Sequence, residues 1–265
     1  MARLLDFLAL TLTLALALNG LFPPPSSAKV IPGVRSNHQP LPPLRFLPLS
    51  LRCLITAGPT REFLDPVRFV SNPSTGKMGY ALAAAARAAG WTVDLVSGPV
   101  SLPEPDGVMV YPVVTAAEML RQTDALFGPC DVLIMTAAVS DWRPKVSHPQ
   151  KLKKTGEGLS VEFEPTEDIL ATLARRRRPD QLLVGFAAET ENVEAHALAK
   201  LDRKGADLIA ANSVAGPHGA FGSDQNKLIL LGRDGFREVL GPGAKTAVAA
   251  SLIARLAALL AARAR

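Results

Sequence analysis

The residues with the clearest chemical potential lie in one loop, Ser-Asn-Pro-Ser-Thr-Gly-Lys-Met-Gly at positions 71–79, which leads into a helical pattern. Small hydroxyl residues and glycine at a helix start leave backbone N–H groups free for an anion. Lys77 adds a cation. Capping of the helix by Ser74 or Thr75 is the simpler alternative, but a cap needs neither the asparagine nor the Gly-Lys pair. The loop therefore predicts an anion site.

Residues for several other chemistries are missing. The first strand-like run ends in Gly-Pro-Thr-Arg-Glu at 58–62, where a dinucleotide-binding fold would carry Gly-x-Gly-x-x-Gly. This disfavours an NAD(P)-dependent oxidoreductase, which remains the alternative enzyme on a similar fold. The four histidines lack metal-ligand spacing, so zinc chemistry is not indicated. Cys53 and Cys130 stand beside apolar runs and are predicted to be buried thiols, not a disulfide or metal set.

The elements that must position these groups alternate between strand-like and helical patterns. Several strand-like runs are apolar throughout, as in sheets covered by helices on both faces. Strands are predicted at 52–57, 92–97, 108–114, 131–137, 182–188, 207–211 and 227–231. Helices are predicted at 78–89, 116–126, 168–176, 193–204 and 244–262.

This alternation predicts an α/β fold, a Rossmann-like doubly wound and mostly parallel sheet whose ligands sit at the carboxyl ends of the strands. A less regular insert near 139–165 contains Trp-Arg-Pro at 142–144, a basic run at 151–154 and an expected extra strand at 159–163.

Composition indicates an ordinary globular chain of 265 residues, with 48% hydrophobic and 20% charged residues. The formal charge is +5, of which +3 comes from the first fifty residues. The remainder, with 25 basic and 23 acidic residues, is close to neutral. Nothing in this balance demands a nucleic-acid partner.

The first fifty residues resemble a secretory signal followed by a linker. A Leu/Ala run at 1–18 precedes three prolines at 23–25 and Ser-Ser-Ala at 26–28. The apolar run is short for a membrane span, which takes about twenty residues. Either the protein is exported, as a nucleotide- or ligand-binding module, or the start codon is assigned too far upstream. We favour the second alternative, with one domain at 51–265, a cytoplasmic location and no membrane partner.

Several sequence blocks together resemble bacterial phosphopantothenate–cysteine ligase, also called phosphopantothenoylcysteine synthetase. The first blocks are LITAGPTRE at 54–62 and DPVRFVSNPSTGKMG at 65–79. The others follow in the same order, as LVSGPV at 95–100, AAVSDWRP at 137–144, KLKK at 151–154, VGFAAET at 184–190, AN at 211–212 and FGSDQN at 221–226.

The resemblance implies a ligase that joins 4′-phosphopantothenate to L-cysteine with CTP as co-substrate and Mg²⁺ as the metal. The substrate carboxylate would attack the α-phosphate to form an acyl-cytidylate, and the cysteine amine would then displace CMP. It also implies a homodimer, and a flavin-dependent decarboxylase carried by a separate chain.

The resemblance also assigns site residues. Asn72 and Lys151 would be catalytic. The nucleotide would contact Met135, Thr136, Ala137, Asp141, Phe186, Lys200 and Lys204, and the substrate would contact Arg68, Ser74, Thr75, Gly76, Lys77 and Asn212.

Each assignment has a plainer alternative, such as a turn residue for Asp141, a core side chain for Phe186 and surface lysines for Lys200 and Lys204, which share a helix face. The arginine run at 175–178 suits a helix C-terminus and receives no site role. Pro73, Glu167 and Ser213 depart from the family pattern.

Overall fold

The computed structural model describes residues 50–154, 156, 158–213 and 222–263. The leader predicted at 1–50 lies, except for its last residue, outside this part of the chain. The helices are α1 (Lys77–Ala88), α2 (Ala116–Phe127), α3 (Ile169–Ala174), α4 (Val193–Lys204) and α5 (Lys245–Arg263).

Twelve strands are described. They are β1 (Arg52–Ala57), β2 (Arg61–Phe63), β3 (Phe69–Ser71), β4 (Thr92–Ser97), β5 (Met109–Pro112), β6 (Val132–Met135), β7 (Trp142–Pro144), β8 (Phe163–Pro165), β9 (Leu182–Glu189), β10 (Leu208–Ser213), β11 (Gln225–Gly232) and β12 (Arg237–Ala244).

Eight of these strands form one sheet in the order β12-β11-β10-β9-β6-β1-β4-β5. The six strands from β10 to β5 are parallel, whereas β11 is antiparallel to both of its neighbours. The chain builds outward from β1 to β5, then returns to the other side of β1 and builds outward from β6. The switch point of this doubly wound sheet therefore lies between β1 and β6, where ligand crevices form in such folds.

Two apolar layers cover the faces of the sheet. On one face Cys53, Ile55 and Ala57 of β1 join the buried side chains of α1 and α5. On the other face Leu54 joins those of α2, α3 and α4. Since successive strand residues point to opposite faces, the apolar run of Cys53, Leu54 and Ile55 in β1 supplies both layers. The predicted fold class is confirmed.

Helix α5 is long and apolar enough to cross a membrane by length and composition. In the fold it packs against α1 and β12. The buried residues recur every three or four positions, which is the spacing of one helix face, and are Lys245, Val248, Ala249, Leu252, Ile253, Leu256 and Leu260.

Every predicted main-sheet strand and helix is present, with ends shifted by three residues or fewer. The extra strand lies at Phe163–Pro165, later than the predicted 159–163, and pairs with Trp142–Pro144. Sequence patterning missed β7, β12 and the short hairpin of β2 and β3. Three-residue strands are too short for an alternation pattern, and β12 carries glycine and proline that usually indicate a loop.

Both cysteines are buried, as predicted. The pKa of each thiol is raised, mainly because the thiol is buried, and that of Cys130 is raised to about 12. Thiols with such pKa values stay protonated near neutral pH and are poor nucleophiles. They lie at the amino-terminal side of β1 and β6, away from the carboxyl ends where ligands bind.

A glycine in α1 lets this helix lie very close to the sheet. An added Cβ at Gly79 would lie 2.5 Å from the Cβ of Ala57 and 2.6 Å from Oγ1 of Thr136. No carbon atom fits at these distances, so any larger residue must push the helix away from the ends of β1 and β6.

We therefore expect Gly79→Ala to lower the free energy of unfolding by about 1–3 kcal/mol through overpacking. Gly128→Ala is the matched control, because Gly128 has helical backbone angles and an added Cβ would meet nothing within 4 Å. Urea denaturation of both variants measures the effect. Equal stabilities would show that the helix shifts freely.

Candidate active site

A cavity of about 680 Å³ opens at the carboxyl ends of β6 and β9, next to the switch point. Met135 and Ala137 line it from the end of β6, and Phe186 lines it from β9. The insert and helices α3 and α4 supply the remaining wall. Seven predicted site residues line this main cavity, and they are Asn72, Met135, Ala137, Asp141, Phe186, Lys200 and Lys204.

The two lysines of α4 are held by acidic partners at the cavity wall. Nζ of Lys200 lies 2.7 Å from Oε1 of Glu189, and Nζ of Lys204 lies 3.1 Å from Oδ2 of Asp168. Both lysines are only partly exposed. Since both lysines line the cavity in positions fixed by these ion pairs, they can contact an anionic ligand there. The alternative that they are ordinary surface lysines is therefore disfavoured. Arg203, which the sequence analysis did not single out, also lines the cavity.

A smaller cavity of about 100 Å³ lies at the start of α1. It shares Ala137, Ala138, Phe186 and Ala188 with the main cavity, so the two cavities lie side by side. The predicted residues that line this anion pocket are Ser74, Thr75, Gly76, Lys77, Thr136, Ala137, Phe186 and Asn212.

Helix α1 begins without a side-chain cap, so capping does not explain the loop that precedes it. Gly76 stands at the N-cap position with a φ of 75°, and no side chain accepts from the first turn. The hydroxyl of Ser74 accepts a hydrogen bond from the N–H of Gly76, one residue before the helix. The first-turn N–H groups therefore remain available to an anion.

Two ammonium groups stand beside this pocket. Nζ of Lys77 lies 2.6 Å from a carboxylate oxygen of Asp224, and its hydrogen bond lowers the pKa of Asp224. Lys245, at the start of α5, is 7% exposed and donates to the carbonyl of Ser223. Burial, followed by the charge of Lys77, lowers the pKa of Lys245. The sequence analysis missed Lys245, because no local motif distinguishes it from other lysines.

Asn72 lines the main cavity, two residues before the part of the loop that lines the anion pocket. Its side-chain N–H₂ donates to the carbonyls of Ala138 and Val139, at 3.2 Å in each case. Both amide hydrogens are thereby used, and the Oδ1 atom is left as a hydrogen-bond acceptor for a ligand. Asn72 can therefore orient an N–H or O–H group of a ligand without adding charge.

Two predicted site residues lie outside both cavities. Lys151 is exposed and lines neither of them. Arg68 contacts Oδ2 of Asp65 at 3.2 Å and donates to the carbonyl of Leu152. The structure therefore brings together the predicted residues from β6, β9, α1 and α4 but not these two.

No group of three or more His, Cys, Asp or Glu side chains within the described ranges could hold a metal ion by itself. Three acidic residues line the main cavity, and two of them are already engaged. Asp168 caps α3, and Glu167 accepts from the hydroxyl of Thr172. The carboxylate of Asp141 makes no hydrogen bond or ion pair within the described part of the chain, so it is the acidic group best placed to meet a ligand or its metal ion.

The anion pocket should bind inorganic pyrophosphate. We expect Lys77→Ala to raise the dissociation constant at least tenfold, since a hydrogen bond to a charged group contributes about 1.5–3 kcal/mol. Lys145→Ala is the matched control, because this exposed lysine pairs with Glu162 outside both cavities. Isothermal titration calorimetry measures both. Equal affinities for the two variants would contradict an anion site at Lys77.

The chain is similar to known proteins in both sequence and structure. Residues 49–260 match the family model described as the DNA/pantothenate metabolism flavoprotein C-terminal domain. The coenzyme A biosynthesis bifunctional protein CoaBC of Bacillus subtilis (strain 168) is 45% identical over 207 residues, which are 78% of this chain and 51% of that protein. The chain thus spans about half the length of the curated relatives it matches.

Two solved structures have the same fold. The C-terminal domain of a CoaBC protein superposes with a TM-score of 0.68 at 42% identity, covering 80% of this chain and 96% of that one. A Cab2 mutant complexed with phosphopantothenate-cysteine superposes with a TM-score of 0.67, covering 80% of this chain and 86% of that one. At 18% identity, this second likeness shows the fold alone. Because the family model matches most of the chain, this protein belongs to the DNA/pantothenate metabolism flavoprotein C-terminal domain family.

Proposed function

We propose that this chain is a phosphopantothenate–cysteine ligase that joins 4′-phosphopantothenate to L-cysteine through an acyl-cytidylate. The supporting observation is that a nucleotide-sized cavity shares one wall with a lysine-bearing anion pocket at the start of α1. Such a pair suits a nucleoside at one end and its phosphates at the other. The 45% identity to a coenzyme A biosynthesis protein supports the choice of reaction.

The reaction has two steps. A carboxylate oxygen of phosphopantothenate attacks the α-phosphorus of CTP, and the bond to the β-phosphate oxygen breaks to release pyrophosphate. The amine of cysteine then attacks the acyl carbon, loses a proton and expels CMP. Because triphosphate and carboxylate are both anionic, cations must offset their repulsion and hold an in-line geometry.

The described residues suit these needs. The pyrophosphate part of CTP fits the anion pocket beside Lys77, and Lys200 and Lys204 face the nucleoside end. Phe186 lines both cavities and offers an aromatic face to the base. Asn72 lines the main cavity, with Oδ1 able to accept a hydrogen bond from the attacking amine. Its position therefore suits the transfer step.

Mg²⁺ belongs to the proposal because it would neutralise part of the triphosphate charge. Magnesium binds through one or two carboxylates together with phosphate oxygens and water, so a single protein carboxylate suffices. Asp141 fits this donor set. The expected cytoplasmic location, and a separate flavin-dependent decarboxylase acting on the product, remain part of the proposal.

A homodimer is proposed on a surface formed by two hairpins, β2–β3 and β7–β8. This hairpin surface exposes large apolar side chains beside the main cavity, including Val67, Phe69, Val70, Trp142 and Val146. Contiguous exposed apolar groups commonly mark a protein interface. A second copy of the chain is the partner that the family resemblance implies.

Labelled pyrophosphate should exchange into CTP when the chain is given phosphopantothenate and Mg²⁺, and added cysteine should yield phosphopantothenoylcysteine. We expect Asn72→Asp to form the acyl-cytidylate but to slow transfer by at least about 100-fold, because its carboxylate would face two carbonyl oxygens and leave the aligned position. Single-turnover product analysis separates the two steps. Asn192→Asp, outside both cavities, is the control. Absence of exchange would refute the ligase, and an unchanged rate in Asn72→Asp would remove Asn72 from the mechanism.

The hairpin surface should control the oligomeric state. We expect Val70→Lys and Val146→Lys each to convert dimers to monomers in light scattering after size-exclusion chromatography, because a buried, unpaired ammonium is costly. Met109→Lys is the matched control, since Met109 is similarly exposed but lies on β5. A monomeric wild-type chain at micromolar concentration would contradict the proposed interface.

A further inference from the structure

A buried carboxylate outside both cavities holds the segment that carries Lys151. Asp65 is 1% exposed, although it lies in the loop between β2 and β3. Its Oδ1 accepts from the N–H of Val67 at 2.8 Å and of Arg68 at 2.9 Å. Its Oδ2 contacts Nε of Arg68 at 3.2 Å and accepts from the N–H of Leu152 at 3.2 Å. A carboxylate buried in this way is fully engaged by hydrogen bonds.

Both polar groups of the Leu152 backbone are held from the same side. The N–H donates to Asp65, and the C=O accepts from the guanidinium of Arg68. Four residues earlier, the N–H of His148 donates to the carbonyl of Leu64 at 2.9 Å. The segment 148–152 is therefore attached at both ends to the β2–β3 loop, and Lys151 lies within it.

These contacts fix the backbone of Lys151 although its side chain is exposed. A reaction slows when the loop that carries a reacting group shifts by even about 1 Å. No described contact joins Asp65 to either cavity, so a direct role in binding the nucleotide is not indicated. The attachment sets the path of the basic run, because Asp65 and Arg68 engage both backbone polar groups of Leu152.

We infer that Asp65 is a positioning residue, which acts through Leu152 to set the location of Lys151 during activation of the substrate carboxylate. Arg68 completes this clamp, which consists of Asp65 and Arg68 on the backbone of Leu152, by donating to the carbonyl of the same residue. The role in catalysis rests on the ligase function proposed above. The clamp itself is a property of the fold.

Ionisation of Asp65 is compatible with this role. Burial opposes the charge, but hydrogen bonds from three backbone N–H groups and the charge of Arg68 outweigh it and lower the pKa of Asp65. A carboxyl with a lowered pKa stabilises the fold above the ordinary range and loses this contribution as the pH falls through the lowered value. The clamp is therefore complete at neutral pH.

Asp65→Asn tests the clamp with little change of shape. An amide has one acceptor oxygen. We expect it to keep the two N–H groups of Val67 and Arg68, because the opposite orientation would keep only that of Leu152, and its N–H₂ group then faces the Leu152 N–H, which is also a donor. We expect the Leu152 amide to exchange with deuterium at least about tenfold faster, as expected for loss of one charge-assisted hydrogen bond. Glu118→Gln is the matched control, because Glu118 also accepts from two backbone N–H groups, at the start of α2.

The kinetic expectation is a lower kcat with an unchanged KM for CTP. Asp65→Asn should slow the pyrophosphate–CTP exchange by about 10–100-fold, in line with misplacement of one reacting group. In a Lys151→Ala background, the same substitution should change the rate by less than about twofold, because residues that act through one another are not additive. A purely structural residue would lower both backgrounds equally.

The outcomes separate the clamp from the ligase. If hydrogen–deuterium exchange of the Leu152 amide is unchanged in Asp65→Asn, the clamp is overturned, whether or not the chain is a ligase. The positioning role is overturned if deuterium exchange of the Leu152 amide is faster but kcat is unaltered. It is also overturned if Asp65→Asn lowers the pyrophosphate–CTP exchange rate equally with Lys151 present and in the Lys151→Ala background. A wild-type chain without ligase activity refutes the proposed function and the positioning role that rests on it, and the exchange data still decide the clamp. Should Asp65→Asn not fold, Arg68→Gln is measured in the same way, since it removes the donor to the Leu152 carbonyl.

Discussion

The close approach of α1 to the ends of β1 and β6 is the constraint on which the rest of the site depends. Gly79 permits it, because any Cβ there would collide with Ala57 and Thr136. The free N–H groups of the first turn are thereby brought to the switch point of the sheet, next to the main cavity. Two neighbouring loops also approach each other very closely, since a Cβ at Gly98 would lie 1.8 Å from the carbonyl oxygen of Pro59.

Buried polar groups then fix the loops that surround this point. Thr60 is fully buried, and its hydroxyl accepts from the N–H of Ser140 at 2.9 Å. Glu62 is 5% exposed and accepts from the N–H of Ala116 at the start of α2. Asp65 attaches the segment of Lys151 in the same manner. A buried polar group that loses its partner is costly, so each of these loops has one well-defined position.

The fold and the site differed in how far sequence patterns could predict them. The central strands were predictable because β1, β6 and β9 are apolar on both faces and can only lie inside a covered sheet. The hairpin of β2 and β3 was not, because its strands are three residues long and its order depends on contacts with distant residues. Lys245 was missed for a similar reason. It reaches the anion pocket only because α5 packs on α1, about 170 positions away in the chain.

The sequence by itself determined the alternation of elements, the glycine-lysine loop before α1 and the family resemblance, because these depend on local spacing and residue type. Only the tertiary structure decided which groups share a cavity. It placed Asn72, Phe186 and the α4 lysines together, turned the amide hydrogens of Asn72 toward the backbone, and left Lys151 and Arg68 outside. These outcomes depend on long-range packing, in which residues more than a hundred positions apart compete for the same space, and local patterns do not encode the result of that competition.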